Sequence, residues 1–127
     1  MKLASRIGMN IPEVKIIEGK HPLFLIERYD RIKEKDRVKR LHQQDFCQAF
    51  GIISDQKYEA EGGPSLVNLY GLMLENVSGR KRIESSFRII DWVCFNLLIG
   101  NNDSHAKNLS LLMINNRHDL SPFYDLI

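Results

Sequence analysis

The sequence predicts an α+β chain, a β-hairpin region packed on a mainly helical lobe. Three observations predict it. Two short β-prone runs, Val14–Ile17 and Leu23–Tyr29, flank a Gly19-Lys20-His21-Pro22 turn signal. Apolar residues recur at helical spacing in two longer stretches, one from Ser65 and one from Ser85. A further apolar run, Leu109–Ile114, meets an Asn115-Asn116 turn signal and reads as a strand.

Taken in order, residues 2–9 read as the end of a helix. Leu3, Ala4 and Ile7 share a stripe and Gly8 fits its C-terminal cap. The hairpin follows, and its second run, Leu23-Phe24-Leu25-Ile26, is apolar on both faces, which predicts a buried strand. Residues 28–42 interleave Arg28, Arg31, Lys33, Lys35, Arg37, Lys39 and Arg40 with Asp30, Glu34 and Asp36. Mixed signs and few aromatics predict a solvated loop or hairpin tip rather than a nucleic-acid surface. Gln44–Phe50 reads as a short helix ending at Gly51, and the polar stretch 54–64 as a loop. From Ser65, Leu66, Leu69, Tyr70, Met73 and Val77 follow a helical stripe that Ser78-Gly79 ends. A second helix is expected from near Ser85 to Leu98, with Phe87, Ile90, Val93, Cys94 and Leu97 on its main face. Ile89, Trp92, Phe95 and Leu98 make it apolar nearly all round, which predicts a central buried helix.

Composition narrows the class. With 127 residues, 43% apolar and 27% charged, the chain is a single domain or a piece of one, and not a disordered tail. A net charge of +2 is too small to argue for nucleic acid. Two cysteines exclude a disulfide scaffold, and Cys47 and Cys94 read as buried thiols in a reducing compartment. The apolar run Phe87–Ile99 is too short to span a bilayer and carries Arg88, Asp91 and Asn96. No membrane is expected, and the expected compartment is cytoplasmic.

The chemistry-bearing stretch is the polar loop after Gly100, Asn101-Asn102-Asp103-Ser104-His105-Ala106-Lys107-Asn108. It sets Asp103 and Asn108 at the D-x-x-x-x-N spacing of a phosphoryl-transfer loop. Such transfer needs a carboxylate to orient a hydroxyl and accept its proton. It also needs an amide oxygen for Mg²⁺, a hard cation that prefers oxygen ligands. A second carboxylate, Asp125, follows a strand pair and an aromatic. Asp and Asn also favour plain turns for backbone reasons. His105 has no His or Cys at zinc spacing, so it reads as packed in the loop with hydrogen bonds to backbone.

Leu98-Ile99-Gly100-Asn101-Asn102-Asp103-Ser104-His105-Ala106-Lys107-Asn108-Leu109-Ser110, then Leu120-Ser121-Pro122-Phe123-Tyr124-Asp125-Leu126, resembles the HipA family of toxin kinases. Phe24–Arg31, Leu41–Ala49, Lys57–Ser65 and Leu3–Pro12 resemble further family segments, in order, over nearly the whole chain. The resemblance implies a kinase-like fold and a bacterial serine/threonine protein kinase that uses ATP and Mg²⁺. It implies Asp103 as catalytic base and Asn108 and Asp125 as Mg²⁺ ligands. Glu27 and Tyr29 offer backbone groups to adenine, and His105 and Lys107 belong to the nucleotide site, Lys107 toward a phosphate. It further implies a toxin–antitoxin module, an antitoxin as partner, and a protein substrate such as an aminoacyl-tRNA synthetase.

The chain departs from the kinase pattern in two places. No Gly-x-Gly-x-x-Gly loop occurs, and no strand lysine to pair with phosphates is identified. The expectation is therefore a partial kinase domain. Residues 1–42 form the end of an N-lobe-like region with its hinge, and 43–127 the start of a C-lobe. A complementary kinase fragment becomes a possible partner. The alternative is an inactive remnant serving as a partner- or antitoxin-binding module. Either way, the all-round apolar helix predicts exposed apolar surface on the chain alone.

Overall fold

The computed structural model describes residues 1–126. Helix α1 (Lys2–Arg6) leads into strands β1 (Val14–Ile17) and β2 (Leu23–Ile26), paired antiparallel in a two-stranded sheet of their own. Strands β3 (Arg31–Glu34) and β4 (Arg37–Arg40) make a second ribbon, so the charged segment is a hairpin with its tip at Lys35-Asp36. Strand β5 (His42–Asp45) opens a three-stranded sheet in the order β5-β6-β7, with β6 at Ser110–Ile114 and β7 at Arg117–Leu120. Helices α2 (Phe46–Phe50), α3 (Leu66–Asn76) and α4 (Arg80–Ile99) lie between β5 and β6. No helix among the described residues is long and apolar enough to cross a membrane.

Local chemistry explains the elements. The Asp45 side chain accepts from the Gln48 amide at 2.8 Å while Gln48 Oε1 accepts from Asp45 N–H, a capping box that starts α2. Ser65 and Asn68 do the same for α3. Asn115 and Asn116 take φ of 50° and 59°, the left-handed pair that a tight β6–β7 hairpin needs. Gly100 ends α4 at φ 69°, and that turn throws the following loop off the helix axis.

The core lies between α2, α3, one face of α4, and the segment from β6 to Leu126. Phe46, Met73, Val77, Ile89, Leu109, Phe123 and Leu126 are its best-buried apolar members. Arg88 reaches from α4 to the carbonyls of Leu120 (2.9 Å) and Ser121, with its guanidinium 5.2 Å from the Phe123 ring centroid. It thereby ties the central helix to the strand leading to Asp125.

Several expectations fail for identifiable reasons. Helix α4 starts five residues before Ser85, at Arg80, because charged residues propagate a helix without contributing to an apolar stripe. Its buried face carries Ile89, Trp92 and Phe95, whereas Phe87, Ile90, Cys94 and Leu97 face solvent. A helix apolar all round offers no periodicity from which to choose a face. Cys94 is accordingly an exposed thiol, while Cys47 is buried as expected. Strand β2 is exposed along its length, with Phe24 at 55%, because the β1–β2 ribbon forms no larger sheet. On α1 only Ala4 is buried, and Leu3 and Ile7 are exposed. The β5 strand (His42–Asp45) was not expected: it begins at the end of the charged segment and takes Gln44 and Asp45 from the expected helix, since His42-Gln43-Gln44-Asp45 carries no apolar alternation and owes its extension to β6. The expected exposure of apolar surface is present, and Leu98 is 86% exposed.

Candidate active site

The loop of residues 101–108 is pinned at its start by two asparagines. Asn96 on α4 donates to the Trp92 carbonyl at 2.8 Å and accepts from Asn101 Nδ2 at 2.7 Å. Asn101 Oδ1 in turn accepts from the Asp103 amide at 3.1 Å, an Asx turn that sets the backbone at Asp103. The end of α4, a helix buried on one face only and not all round as expected, thus delivers the carboxylate.

Asp103 is half exposed, at 51%, and its Oδ1 is crowded. The Tyr58 hydroxyl donates to it, Lys57 Nζ lies 3.5 Å away, and His105 Nε2 lies 3.5 Å away. The Tyr58 hydrogen bond, with the Lys57 charge behind it, holds the carboxyl below the usual carboxylate value.

His105 is 7% exposed. Burial pushes its imidazole below the ordinary histidine value, reinforced by Lys57 and opposed by Asp103 and Asp125. A neutral imidazole makes its approach to Asp103 a polar contact and not an ion pair. Its Nδ1 is buried and makes no close hydrogen bond among the described residues. The histidine packs by its ring, edge-to-face against Tyr58 at 5.2 Å.

Asn108 and Asp125, 17 residues apart, meet directly. Asn108 Nδ2 donates to Asp125 Oδ2 at 3.0 Å, and Asn108 Oδ1 accepts from the His105 amide at 2.8 Å. Asp125 takes φ 59°, left-handed backbone that Asp tolerates better than most side chains. Tyr124 holds it there: its hydroxyl contacts Ser110 Oγ at 2.8 Å and donates to the Lys107 carbonyl. Burial raises the Tyr124 phenol well above its ordinary value, so it stays a neutral donor.

Tyr29 reaches this cluster from the hairpin side, its ring stacked on Tyr124 at 6.0 Å and 26°. Glu27 lies exposed beyond the end of β2, its N–H already given to the Glu13 carbonyl at 2.9 Å, which leaves its own carbonyl for any ligand. Phe24, Ile26, Tyr124 and Asp125 line a cleft of about 440 Å³. Lys107 sits on the single turn Ala106–Asn108, and its ammonium makes no ion pair among the described residues.

A divalent cation fits this donor set with one adjustment. Among the described residues no cluster of three or more His, Cys, Asp or Glu exists. Mg²⁺ does not require one, since it binds through one or two carboxylates and completes its shell with water and phosphate. Asp125 and Asn108 supply a carboxylate and an amide side by side. The amide must turn to present oxygen instead of nitrogen, giving up the His105 amide bond.

Comparison with known proteins places the chain. The family model described as the HipA-like C-terminal domain matches residues 1–127. The chain belongs to the HipA-like C-terminal domain family. It is 39% identical over 129 residues to "Putative kinase Y4mE" of Sinorhizobium fredii, covering 100% of the chain and 30% of that protein. It is 34% identical over 138 residues to the serine/threonine-protein kinase toxin HipA of Shewanella oneidensis, of which it covers 32%. The solved complex of Shewanella oneidensis HipA with HipB and operator DNA superposes with a TM-score of 0.81 at 31% identity, over 100% of the chain and 32% of that one. The chain therefore spans about a third of the length of these HipA-family relatives, and its fold is theirs, kinase-like.

Four contributors to the site carried no role in the sequence. Asn96 and Asn101 pin the loop, and Lys57 and Tyr58 approach Asp103 from a segment 45 residues earlier. Asn at the end of an apolar helix was a visible signal for the first pair. The second pair lies in the Lys57–Ser65 segment that resembles the family, but nothing local ties it to Asp103.

Proposed function

We propose that the chain carries the catalytic half of a HipA-type serine/threonine kinase site, transferring the ATP γ-phosphoryl to a protein hydroxyl with Mg²⁺. The observation that carries this reading is the direct meeting of Asn108 with Asp125 beside a loop that presents Asp103. Residues 1–42 act as the hinge-bearing end of an N-lobe and 43–127 as the start of a C-lobe. Asp103 orients the acceptor hydroxyl and takes its proton. The hydroxyl oxygen bonds the γ-phosphorus, and the β–γ bridging P–O bond breaks with its electron pair leaving on ADP. Asp125 and Asn108 would hold the metal, which when bound would neutralise charge on the phosphate oxygens. The Glu27 carbonyl and the Tyr29 backbone face the adenine edge, with Phe24 and Ile26 as an apolar wall. Lys107 and neutral His105 lie toward the phosphates.

Names of relatives extend the proposal. A serine/threonine-protein kinase toxin and a complex with HipB suggest a toxin–antitoxin setting for this chain, an antitoxin partner, and action on a protein such as an aminoacyl-tRNA synthetase in the cytoplasm. Calorimetry of Mg²⁺-ATP on the purified chain, beside Asp125→Asn, tests the site. Binding that needs both Mg²⁺ and the Asp125 carboxylate is expected. No binding at about millimolar nucleotide by a folded chain, an affinity of about −4 kcal/mol or weaker, refutes it.

A second reading has its own observation. Phe87, Leu97 and Leu98 on α4 and Leu23–Ile26 on β2 are exposed and apolar, as in a module completed by a partner or by a complementary kinase fragment. Sedimentation of the chain alone then gives self-association that Leu97→Ser with Leu98→Ser reduces. A monodisperse monomer that binds no apolar dye counts against it.

A further inference from the structure

We propose that Lys57 and Tyr58 are positioning residues for Asp103: together they clamp its Oδ1 and leave Oδ2 to receive the proton of the acceptor hydroxyl. This rests on the reading of Asp103 as the base. The Tyr58 hydroxyl, the Lys57 ammonium and the His105 imidazole all converge on Oδ1, and Oδ2 has no partner among the described residues. A carboxylate hydrogen-bonded at one oxygen by Tyr58, with Lys57 and His105 each 3.5 Å from that same oxygen, has its second oxygen turned away from them.

The clamp is itself built. Lys57 Nζ sits 4.8 Å above the Tyr58 ring, and that ring abuts His105. The Lys57 carbonyl accepts from the Ala106 amide at 3.4 Å, joining the segment to the catalytic loop's own backbone. Gly63 closes the segment: its amide donates to the Tyr58 carbonyl at 2.9 Å, and a Cβ there would collide with the carbonyl oxygens of Gln56 and Tyr58. The stretch around residues 54–63 is mostly exposed and polar, without apolar burial to account for so close a docking.

The chemistry accommodates the side effect. Donors on a carboxylate reduce its basicity. A phosphoryl transfer with a loose transition state needs the hydroxyl aimed more than it needs a strong base, because little negative charge must be generated on the attacking oxygen beforehand. Orientation of the reacting atoms is then the larger lever.

Carboxyl ¹³C NMR of the purified chain reads the clamp without requiring turnover. Tyr58→Phe keeps the ring against His105 and removes only the donor, and Lys57→Met removes the charge. Each is expected to raise the Asp103 titration midpoint, with Lys57→Arg close to the wild type. In ADP formation by the same variants, Tyr58→Phe lowers kcat by about ten- to a hundredfold with KM for ATP unchanged. Identical Asp103 midpoints in wild type, Tyr58→Phe and Lys57→Met overturn the clamp. A folded wild-type chain that binds no Mg²⁺-ATP overturns the kinase reading of this chain, and the titration still decides the clamp.

Discussion

Asp30 is a buried carboxylate, 2% exposed, at the turn between the hinge-side hairpin and the charged ribbon. Arg28 grips both its oxygens, Nε to Oδ1 at 2.8 Å and Nη2 to Oδ2 at 2.7 Å, while Arg31 donates to Oδ2 and Arg40 Nε lies 3.9 Å away. The Arg28 hydrogen bonds are the largest cause that lowers the carboxyl from 3.8 to about 2. That gap, a little under two pH units, is worth about 2–3 kcal/mol. Because the folded value is depressed, the contribution is complete above the unfolded value and disappears as pH falls through the folded one. Asp30→Asn is therefore expected to cost about 2–3 kcal/mol at neutral pH, without the larger penalty of a stranded buried charge, since Arg28 and Arg40 are mostly exposed and rehydrate, and Arg31, one-third exposed, keeps its bond to the residue-30 carbonyl. Urea unfolding of both proteins across a pH series measures it. The stability gap should be flat from neutral pH down to about 4 and close between about 4 and 2. A gap that persists undiminished in acid, or one below about 0.5 kcal/mol at neutral pH, refutes the reasoning and makes Asp30 equivalent to a solvated surface pair. The turn bears on function, because Tyr29 precedes Asp30 and stacks on Tyr124 next to Asp125.

Two other substitutions probe what supports the site. Arg88→Met removes the guanidinium bonds to the Leu120 and Ser121 carbonyls; a loss of about 1–3 kcal/mol in urea unfolding is expected, with weaker Mg²⁺-dependent nucleotide binding as the strand before Asp125 loosens. Met73→Ala, at a fully buried position between α3 and the rest of the core, should cost about 2–5 kcal/mol in the same assay and leave the nucleotide affinity of the folded fraction unchanged.

Features with a short-range cause were legible from the residues. The β1–β2 hairpin follows its turn signal, α3 follows its stripe and its Ser65 cap, and the Asn115-Asn116 pair turns β6 into β7. The Asp103-to-Asn108 spacing and the aromatic before Asp125 pointed to the candidate site, and the fold brings Asn108 and Asp125 into contact. Where a segment's pattern was uniform, the residues gave no basis for choice. The C-terminal part of α4 carries apolar residues nearly all round, so its buried face had to come from what packs on it, and Phe87 and Leu97 fell on the solvent side.

Sequence by itself thus determined most local elements and the identity of the loop bearing Asp103 and Asn108, which depend on neighbours a few residues apart, and the family, which rests on motifs in order along nearly the whole chain. The tertiary structure alone decided which oxygen of Asp103 is held, which partner Asn108 meets, and which apolar faces remain bare. Those facts join residues 17 and 45 positions apart, and such contacts are set by how the core closes rather than by spacing along the chain.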